Sequence, residues 1–401
     1  MRTLGKSSPL SSAVREFIRL ESAGGLLLLA AAVAAVLIAN SPLSWLYDAL
    51  LDTTVAVQVG ALAISKPLLL WINDGLMAVF FFLIGLEVKR EFLEGELSTP
   101  AQIVLPGVGA LGGMAVPAAI YAAINWNDPV ALDGWGIPVA TDIAFALALL
   151  GLFGRRVPLP LKVFLLTLAI FDDLAAILII AIFYSGDLSW AALAVGAAAL
   201  AGGVTLNRLG VTNVTAYVLI GVALWIAVLN SGDHAPLAGV LIALCIPMRD
   251  ADGRSPLRGL EHDLHVPVAF AILPLFAFAN AGLSLSGFTM DSLVHPVTLG
   301  IIAGLFLGKP IGIVGFVGVA VLSGWVRLPP EVTWARLVGV SFACGIGFTM
   351  SLFIAGLAFE HGSGDYFAAD RLGVVVGSLA AAVMAWLVLR ASLGSADEFS
   401  S

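Results

Sequence analysis

Apolar residues fill the chain in long blocks, and polar residues collect in the short stretches between them. Twelve blocks approach the roughly 20 apolar residues that carry a helix across the hydrocarbon layer. Their approximate limits are 23–42, 67–88, 102–124, 134–153, 159–184, 188–206, 212–230, 233–248, 263–284, 297–321, 334–358 and 367–391. One stretch between blocks differs. Residues 54–66, TVAVQVGALAISK, alternate apolar and polar positions around Gly60, which is the period of a short β-hairpin. The pattern predicts an all-α polytopic membrane protein of 12 transmembrane helices with one short hairpin. It forms a single transmembrane domain over 1–401, with 392–401 as a flexible tail.

Charge gives these helices a direction. With a cytoplasmic N-terminus, 16 of the 19 Lys and Arg fall on the cytoplasmic side. Only Lys66 and Arg371 lie outside, and Lys309 lies within a block. One helix more or fewer would scramble this sorting, so both termini are expected in the cytoplasm. Composition agrees: 60% of residues are hydrophobic and 11% charged, against about 25% charged in soluble domains. The first block follows an arm carrying Arg2, Lys6, Arg15 and Arg19, longer than a signal peptide's leading region, and reads as a retained helix. Cys245 and Cys344 both sit in apolar blocks, which argues against a disulfide scaffold.

Ionisable residues at bilayer depth each cost roughly 2.5–3.5 kcal/mol on insertion scales and mark function. The fifth block holds Asp172 and Asp173 side by side at its middle. The fourth carries Thr141 and Asp142 after Pro138; the tenth carries Lys309 before Pro310. The eleventh has Gly345, Gly347, Thr349 and Ser351 at its centre. Glycine and proline at this depth let a helix break, and the freed backbone groups then line a cavity or bind something. Blocks four and eleven are the middle members of blocks 3–5 and 10–12. Matched interruptions predict inverted-topology repeats with helices 4 and 11 discontinuous. Helix N-termini carry roughly half a positive charge and C-termini half a negative one. Asp142 suits clustered N-termini, and Lys309 clustered C-termini.

Asp172 and Asp173 project about 100° apart, so both can border one cavity. Empty and doubly charged, such a site is expensive. It wants protons or a small hard cation held by oxygens, and Thr141 with freed carbonyls can add more. Protons and cation then compete for the same carboxylates. If the site changes sides only when occupied, exchange of cation for proton follows. A sodium-coupled organic-solute symporter on the same architecture is the alternative.

At these residues the sequence resembles the NhaA family of bacterial sodium/proton antiporters. The segments are ATDIAFAL (140–147), LAIFDDLAAI (168–177), GKP (308–310) and CGIGFTMSLFIA (344–355). WINDGLMAVFF (71–81), GLEVKREF (85–92), SGDHAPLAG (231–239), RSPLRGLEHDLH (254–265) and LPLFAFANAG (273–282) extend the likeness along nearly the whole chain, in order. Inverted repeats built on interrupted helices are themselves a feature of this family, so the matched interruptions and the likeness rest on one architecture.

The resemblance implies electrogenic exchange of sodium or lithium for protons across the bacterial inner membrane, rising at alkaline pH. It implies that Asp172 and Asp173 bind the ion and carry protons, with Thr141, Asp142 and Lys309 in support. A Lys309–Asp172 bridge would break as sodium binds. It maps pH sensing onto Glu87, Arg90 and Glu91, which share a helix face by their spacing. The same role is implied for Arg254, Arg258, Glu261, His262 and His265, with Arg258 standing where lysine is expected, and for His234. Histidine titrates near 6.5 unperturbed. The 54–66 hairpin, on the periplasmic side, is implied as a homodimer contact. Sodium, lithium, protons and the bilayer are the expected partners; a cofactor, enzymatic chemistry and nucleic acid are not expected.

Overall fold

A backbone inside hydrocarbon must satisfy its own polar groups, and α-helices do so within one segment. The computed structural model describes residues 9–60, 62–95, 100–184, 189–231, 234–250, 252–285, 290–359 and 366–393, and they are mostly helical. Among them, seven helices are long and apolar enough to cross a membrane: Leu68–Glu94, Ile103–Asn125, Leu159–Phe183, Trp190–Arg208, Pro256–Asn280, Pro296–Leu322 and Ala368–Ser392. Three bent pairs reach that length together. They are Ala23–Ala39 with Ser44–Asp52 at 112°, Pro129–Val139 with Ile143–Leu152 at 42°, and Trp334–Ala343 with Phe348–Ala358 at 47°. The chain is therefore a multi-pass membrane protein, and the last two bends fall in blocks four and eleven.

Three elements differ from expectation. The first helix starts at Pro9, ahead of its apolar block, and ends at Ala39. There Asn40 Nδ2 donates to the carbonyls of Val36 at 2.8 Å and Leu283 at 2.7 Å, closing the helix end. The eighth block holds only a short helix, Leu237–Ala243. Lys89 Nζ takes the carbonyls of Leu244 and Ile246 at 2.7 and 2.6 Å, and Asn207 Nδ2 takes that of Cys245 at 2.7 Å. Side chains of neighbouring helices thus satisfy the groups that a longer helix would have paired. Finally, the helices around residues 268–272 and 304–308 widen into π turns. A proline ring clashes with the carbonyl four residues before it. Pro274 faces Phe270 and Pro310 faces Phe306 in this way, each inside a widened turn.

The alternating stretch forms an antiparallel pair, Thr54–Val59 against Leu62–Pro67, with Thr54 opposite Pro67 and Val59 opposite Leu62. Gly60 takes φ 61°, the left-handed conformation that such a tight turn needs. Trp71 Nε1 donates to Val55 O at 3.0 Å, and Lys66 pairs with Asp74 at 2.8 Å, so the hairpin is tied to the following helix. The last helix ends at Ser392. Of the tail expected at 392–401, residues 394–401 lie outside the described residues.

Packing divides the helices into two groups. Ile103–Asn125, Leu159–Phe183, Pro296–Leu322, Ala368–Ser392 and the two bent pairs of blocks four and eleven pack together. Leu68–Glu94, Val214–Leu229 and Leu237–Ala243 share a second core around Leu86, Tyr217 and Ile242. The first helix packs against Ile143–Leu152 on one side and against Leu273–Asn280 on the other.

The first group is pinned by one seam of small residues. A Cβ on Gly112 would lie 2.2 Å from Gly312 O, and one on Gly312 would lie 2.0 Å from Gly112 O. The Ile103–Asn125 and Pro296–Leu322 helices thus touch backbone to backbone, as small residues permit in membranes. Gly312→Ala is expected to destabilise the protein by roughly 1–3 kcal/mol through overpacking. Gly315 has open space where a Cβ would go. Thermal unfolding in detergent separates the two, and equal midpoints for Gly312→Ala and Gly315→Ala would refute the seam.

Candidate functional site

The fourth block is interrupted because residues 140–142 run extended between a 3-10 helix, Asp133–Val139, and the helix that begins at Ile143. The eleventh is interrupted at 344–347. The breaks meet: Asp142 N donates to Ile346 O at 2.7 Å. The Asp142 carboxylate then serves both downstream half-helices. Its Oδ1 accepts from Phe145 N at 3.1 Å, and its Oδ2 accepts from Thr349 N at 3.0 Å and Thr349 Oγ1 at 2.5 Å. One acid thus caps two helix N-termini, where both the free N–H groups and the dipoles favour negative charge.

Other bonds complete the crossing. Ser351 Oγ donates to Ile137 O at 2.7 Å, and Phe348 N donates to Ser378 Oγ at 3.2 Å. Close approach requires the glycines. A Cβ on Gly345 would lie 2.4 Å from Leu305 O, and one on Gly347 would lie 2.1 Å from Ser351 Oγ.

One turn of the structure away is a buried ion pair. Lys309 Nζ donates to Asp172 Oδ2 at 2.5 Å and to Thr141 Oγ1 at 3.0 Å. Lys309, Asp172 and Thr141 are each 0% exposed. Thr141 Oγ1 lies 2.6 Å from Asp172 Oδ2 and 2.9 Å from Cys344 O, but a hydroxyl has one proton and serves one of them at a time. Asp172 Oδ1 accepts no hydrogen bond among the described residues. The direct partners of the Lys309 ammonium are thus a hydroxyl and the Asp172 carboxylate, the latter being the bridge that the resemblance implied.

Asp173 points elsewhere. A cavity of about 40 Å³ is lined by Asp173, Asp142, Thr141, Thr349, Glu87 and His265, among others. It is large enough for water. Asp172 does not line it: the turn between adjacent residues sends Asp172 to Lys309 and Asp173 to the cavity, so the two acids border different spaces.

The residues expected to sense pH do not form one cluster. Glu87 and His265 meet at the cavity. Arg90 Nε reaches both oxygens of Glu261, at 3.0 and 2.9 Å, and its Nη1 meets Glu91 Oε1 at 2.6 Å. Arg258 pairs instead with Glu94 at 2.7 Å, and Arg249 pairs with the same acid at 2.8 Å. Glu94 and Arg249 were not anticipated. Glu94 follows Glu87, Arg90 and Glu91 on the same helical spacing, so the signal was present. Arg254 and His262 are exposed. His234 lies apart from these, its ring 5.7 Å from that of Phe353 on the Phe348–Ala358 helix.

Interrupted helices that cross in a membrane and enclose a buried ammonium, carboxylates and a small polar cavity define a class, the secondary transporters. Comparison with known proteins goes further. The chain belongs to the family described as Na+/H+ antiporter 1, whose model matches residues 15–389. A relative from Pseudomonas fluorescens named Na(+)/H(+) antiporter NhaA is 58% identical over 385 residues, 96% of this chain and 98% of the relative. One from Syntrophotalea carbinolica, named Na(+)/H(+) antiporter NhaA 1, is 58% identical over 94% of this chain and 96% of its own length. Among solved structures, the sodium proton antiporter MjNhaP1 from Methanocaldococcus jannaschii matches with a TM-score of 0.53 at 15% identity, over 93% of this chain and 92% of that one. At that identity the likeness concerns the fold alone.

Removing one partner of a buried pair strands the other. Lys309→Gln is expected to cost roughly 3–5 kcal/mol of stability, and adding Asp172→Asn should restore part of it. Thermal midpoints of the single and double variants measure this coupling; simply additive losses would show that the pair is not coupled. Asp142→Asn turns an amide donor toward one of the two capped helix ends, and its expected cost is roughly 1–3 kcal/mol by the same measurement.

Proposed function

We infer that this protein exchanges sodium or lithium for protons across the bacterial inner membrane, with Asp172 and Asp173 as the shared site of ion and proton. The observation that carries the reading is Asp172 itself. It is fully buried, one oxygen is held by Lys309 and Thr141, and the other accepts no hydrogen bond among the described residues. Three carboxylates, those of Asp142, Asp172 and Asp173, share this buried region with the single ammonium of Lys309. Protons or a small cation make up the missing positive charge. Sodium reaching Asp173 from the cavity competes with Lys309 for the neighbouring Asp172, and as the Lys309 bridge breaks the two acids come to share the ion. Thr141 then turns its hydroxyl proton to Cys344 O and offers its oxygen to the ion. More protons than sodium ions cross per cycle, so the exchange is electrogenic.

The architecture behind this is twelve membrane-crossing segments with both termini in the cytoplasm, organised as inverted repeats over segments 3–5 and 10–12. Support comes from the sorting of lysine and arginine and from the matched interruptions at 140–142 and 344–347. The site is offered to each side in turn, by movement of the helix group that holds Asp142, Asp172 and Lys309 against the group that holds Glu87. Glu87 and His265 at the cavity, with the Arg90–Glu91–Glu261 cluster beside them, adjust activity upward at alkaline pH; His234, Arg254, Arg258 and His262 contribute around them. The 54–66 hairpin is the contact between two copies. Symport of an organic solute is disfavoured by volume, because sites for organic ligands run to about 300–1,000 Å³ and the cavity beside Asp173 is about 40 Å³.

The test is flux in reconstituted vesicles. With an imposed pH gradient, sodium or lithium added at pH 8 is expected to drive proton movement, read by an internal pH dye. Asp172→Asn and Asp173→Asn should each reduce it to background. Full activity in either variant would remove that residue from the site, and no sodium-dependent flux in the unaltered protein would overturn the function. Glu261→Gln, which strips Arg90 of its two-oxygen partner, is expected to move the pH at which flux rises; an unchanged profile would remove that cluster from pH control.

A further inference from the structure

A second, larger cavity of about 410 Å³ lies along the first helix, between it and the Ile143–Leu152 and Ala368–Ser392 helices. Its wall on the first helix runs from Gly25 to Leu37, which at 1.5 Å per residue is roughly 18 Å. The hydrocarbon layer is about 30 Å thick, so this length exceeds the depth of one leaflet. The rim carries Leu26, Leu37, Leu152 and Leu379, which are 56%, 65%, 60% and 63% exposed on a membrane-spanning protein. The opening is thus continuous with the lipid-facing surface. At its floor lie Phe348 and Ser378, and the Ser378 hydroxyl already accepts the Phe348 amide. Among the described residues no charged or amide side chain lines the space. Water finds no partners in such a place; an apolar cavity of about 150 Å³ stays dry and binds benzene.

The bilayer supplies one occupant of this shape and chemistry, and we propose that the seam is a binding site for a single lipid acyl chain. The assignment is independent of which ion the protein carries. Position gives the occupant a point of contact with the interrupted helix, since the same floor includes Ile346, whose carbonyl accepts the Asp142 amide, and Phe348, whose ring packs edge-on against Phe145 at 5.1 Å. At one end Gly25 meets Ala148 so closely that a Cβ there would lie 2.6 Å from the alanine methyl. The chain therefore fills a seam between the first helix and the group that holds the ion site.

The test uses the full-length protein in detergent, stripped of lipid and then titrated with phosphatidylethanolamine. Native mass spectrometry counts retained lipid, and thermal unfolding reads its effect. Val33→Trp and the milder Ala382→Leu fill the cavity, while Leu219→Trp adds bulk at another lipid-facing position, 66% exposed. The wild type and Leu219→Trp are expected to retain one lipid per chain and to gain several degrees in midpoint. Both filled variants should lose that lipid and most of the gain. Equal retention in all four proteins would put the lipid elsewhere and overturn the proposal, as would a wild type that retains none.

Discussion

A helix that breaks inside a membrane exposes backbone groups that lipid cannot satisfy, and where the two interrupted helices cross the carboxylate of Asp142 answers that problem for both. Each break supplies what the other lacks. Asp142 N meets Ile346 O, Ser351 Oγ meets Ile137 O, and the two oxygens of Asp142 divide between the two half-helices that follow. Neither interruption is affordable alone. The glycines at 345 and 347 follow from this, because the strands of backbone must pass within reach of each other. So does the seam at Gly112 and Gly312, which holds the flanking helices at the separation that the crossing requires.

Beside the crossing the problem changes from hydrogen bonds to charge. The Lys309–Asp172 pair is wholly removed from solvent, where attraction offsets desolvation only if the remaining lone pairs and protons are also used. They are used incompletely: Thr141 has one proton between two acceptors, and Asp172 Oδ1 accepts no hydrogen bond among the described residues. A fully satisfied network would be rigid. Among the described residues this one has slack at Asp172 Oδ1, whereas both oxygens of the neighbouring Asp142 are bonded.

Much of this was legible in the residues. The adjacent acids, the glycines and the Lys-Pro pair stand out because apolar blocks leave polar residues nowhere to hide. The hairpin showed in its alternation, and the interruptions fell where Pro138, Gly345 and Gly347 indicated. What escaped was set by partners distant in the chain. The helix of the eighth block stops at Ala243, four residues before Pro247, a stop the sequence does signal; that Lys89 and Asn207 take the carbonyls left beyond it depends on distant partners. Asp172 and Asp173 project about 100° apart, but which of them meets an ammonium and which a cavity depends on distant partners such as Lys309. Glu94 was readable from its spacing, but its joint hold on Arg249 and Arg258 depends on how the helix ends meet.

The same ion pair has a history as well as a geometry. Lys309 follows Asp172 by 137 residues, and at synthesis rates of about 5–20 residues per second it emerges roughly 7–30 seconds later. Thr349, which completes the Asp142 cap, comes later still. For that interval the newly made first half of the protein holds Asp142, Asp172 and Asp173 in apolar segments without the ammonium that meets Asp172 in the finished fold. Closing the ion pair is therefore a late step of assembly, one that waits for the second half of the chain to be made.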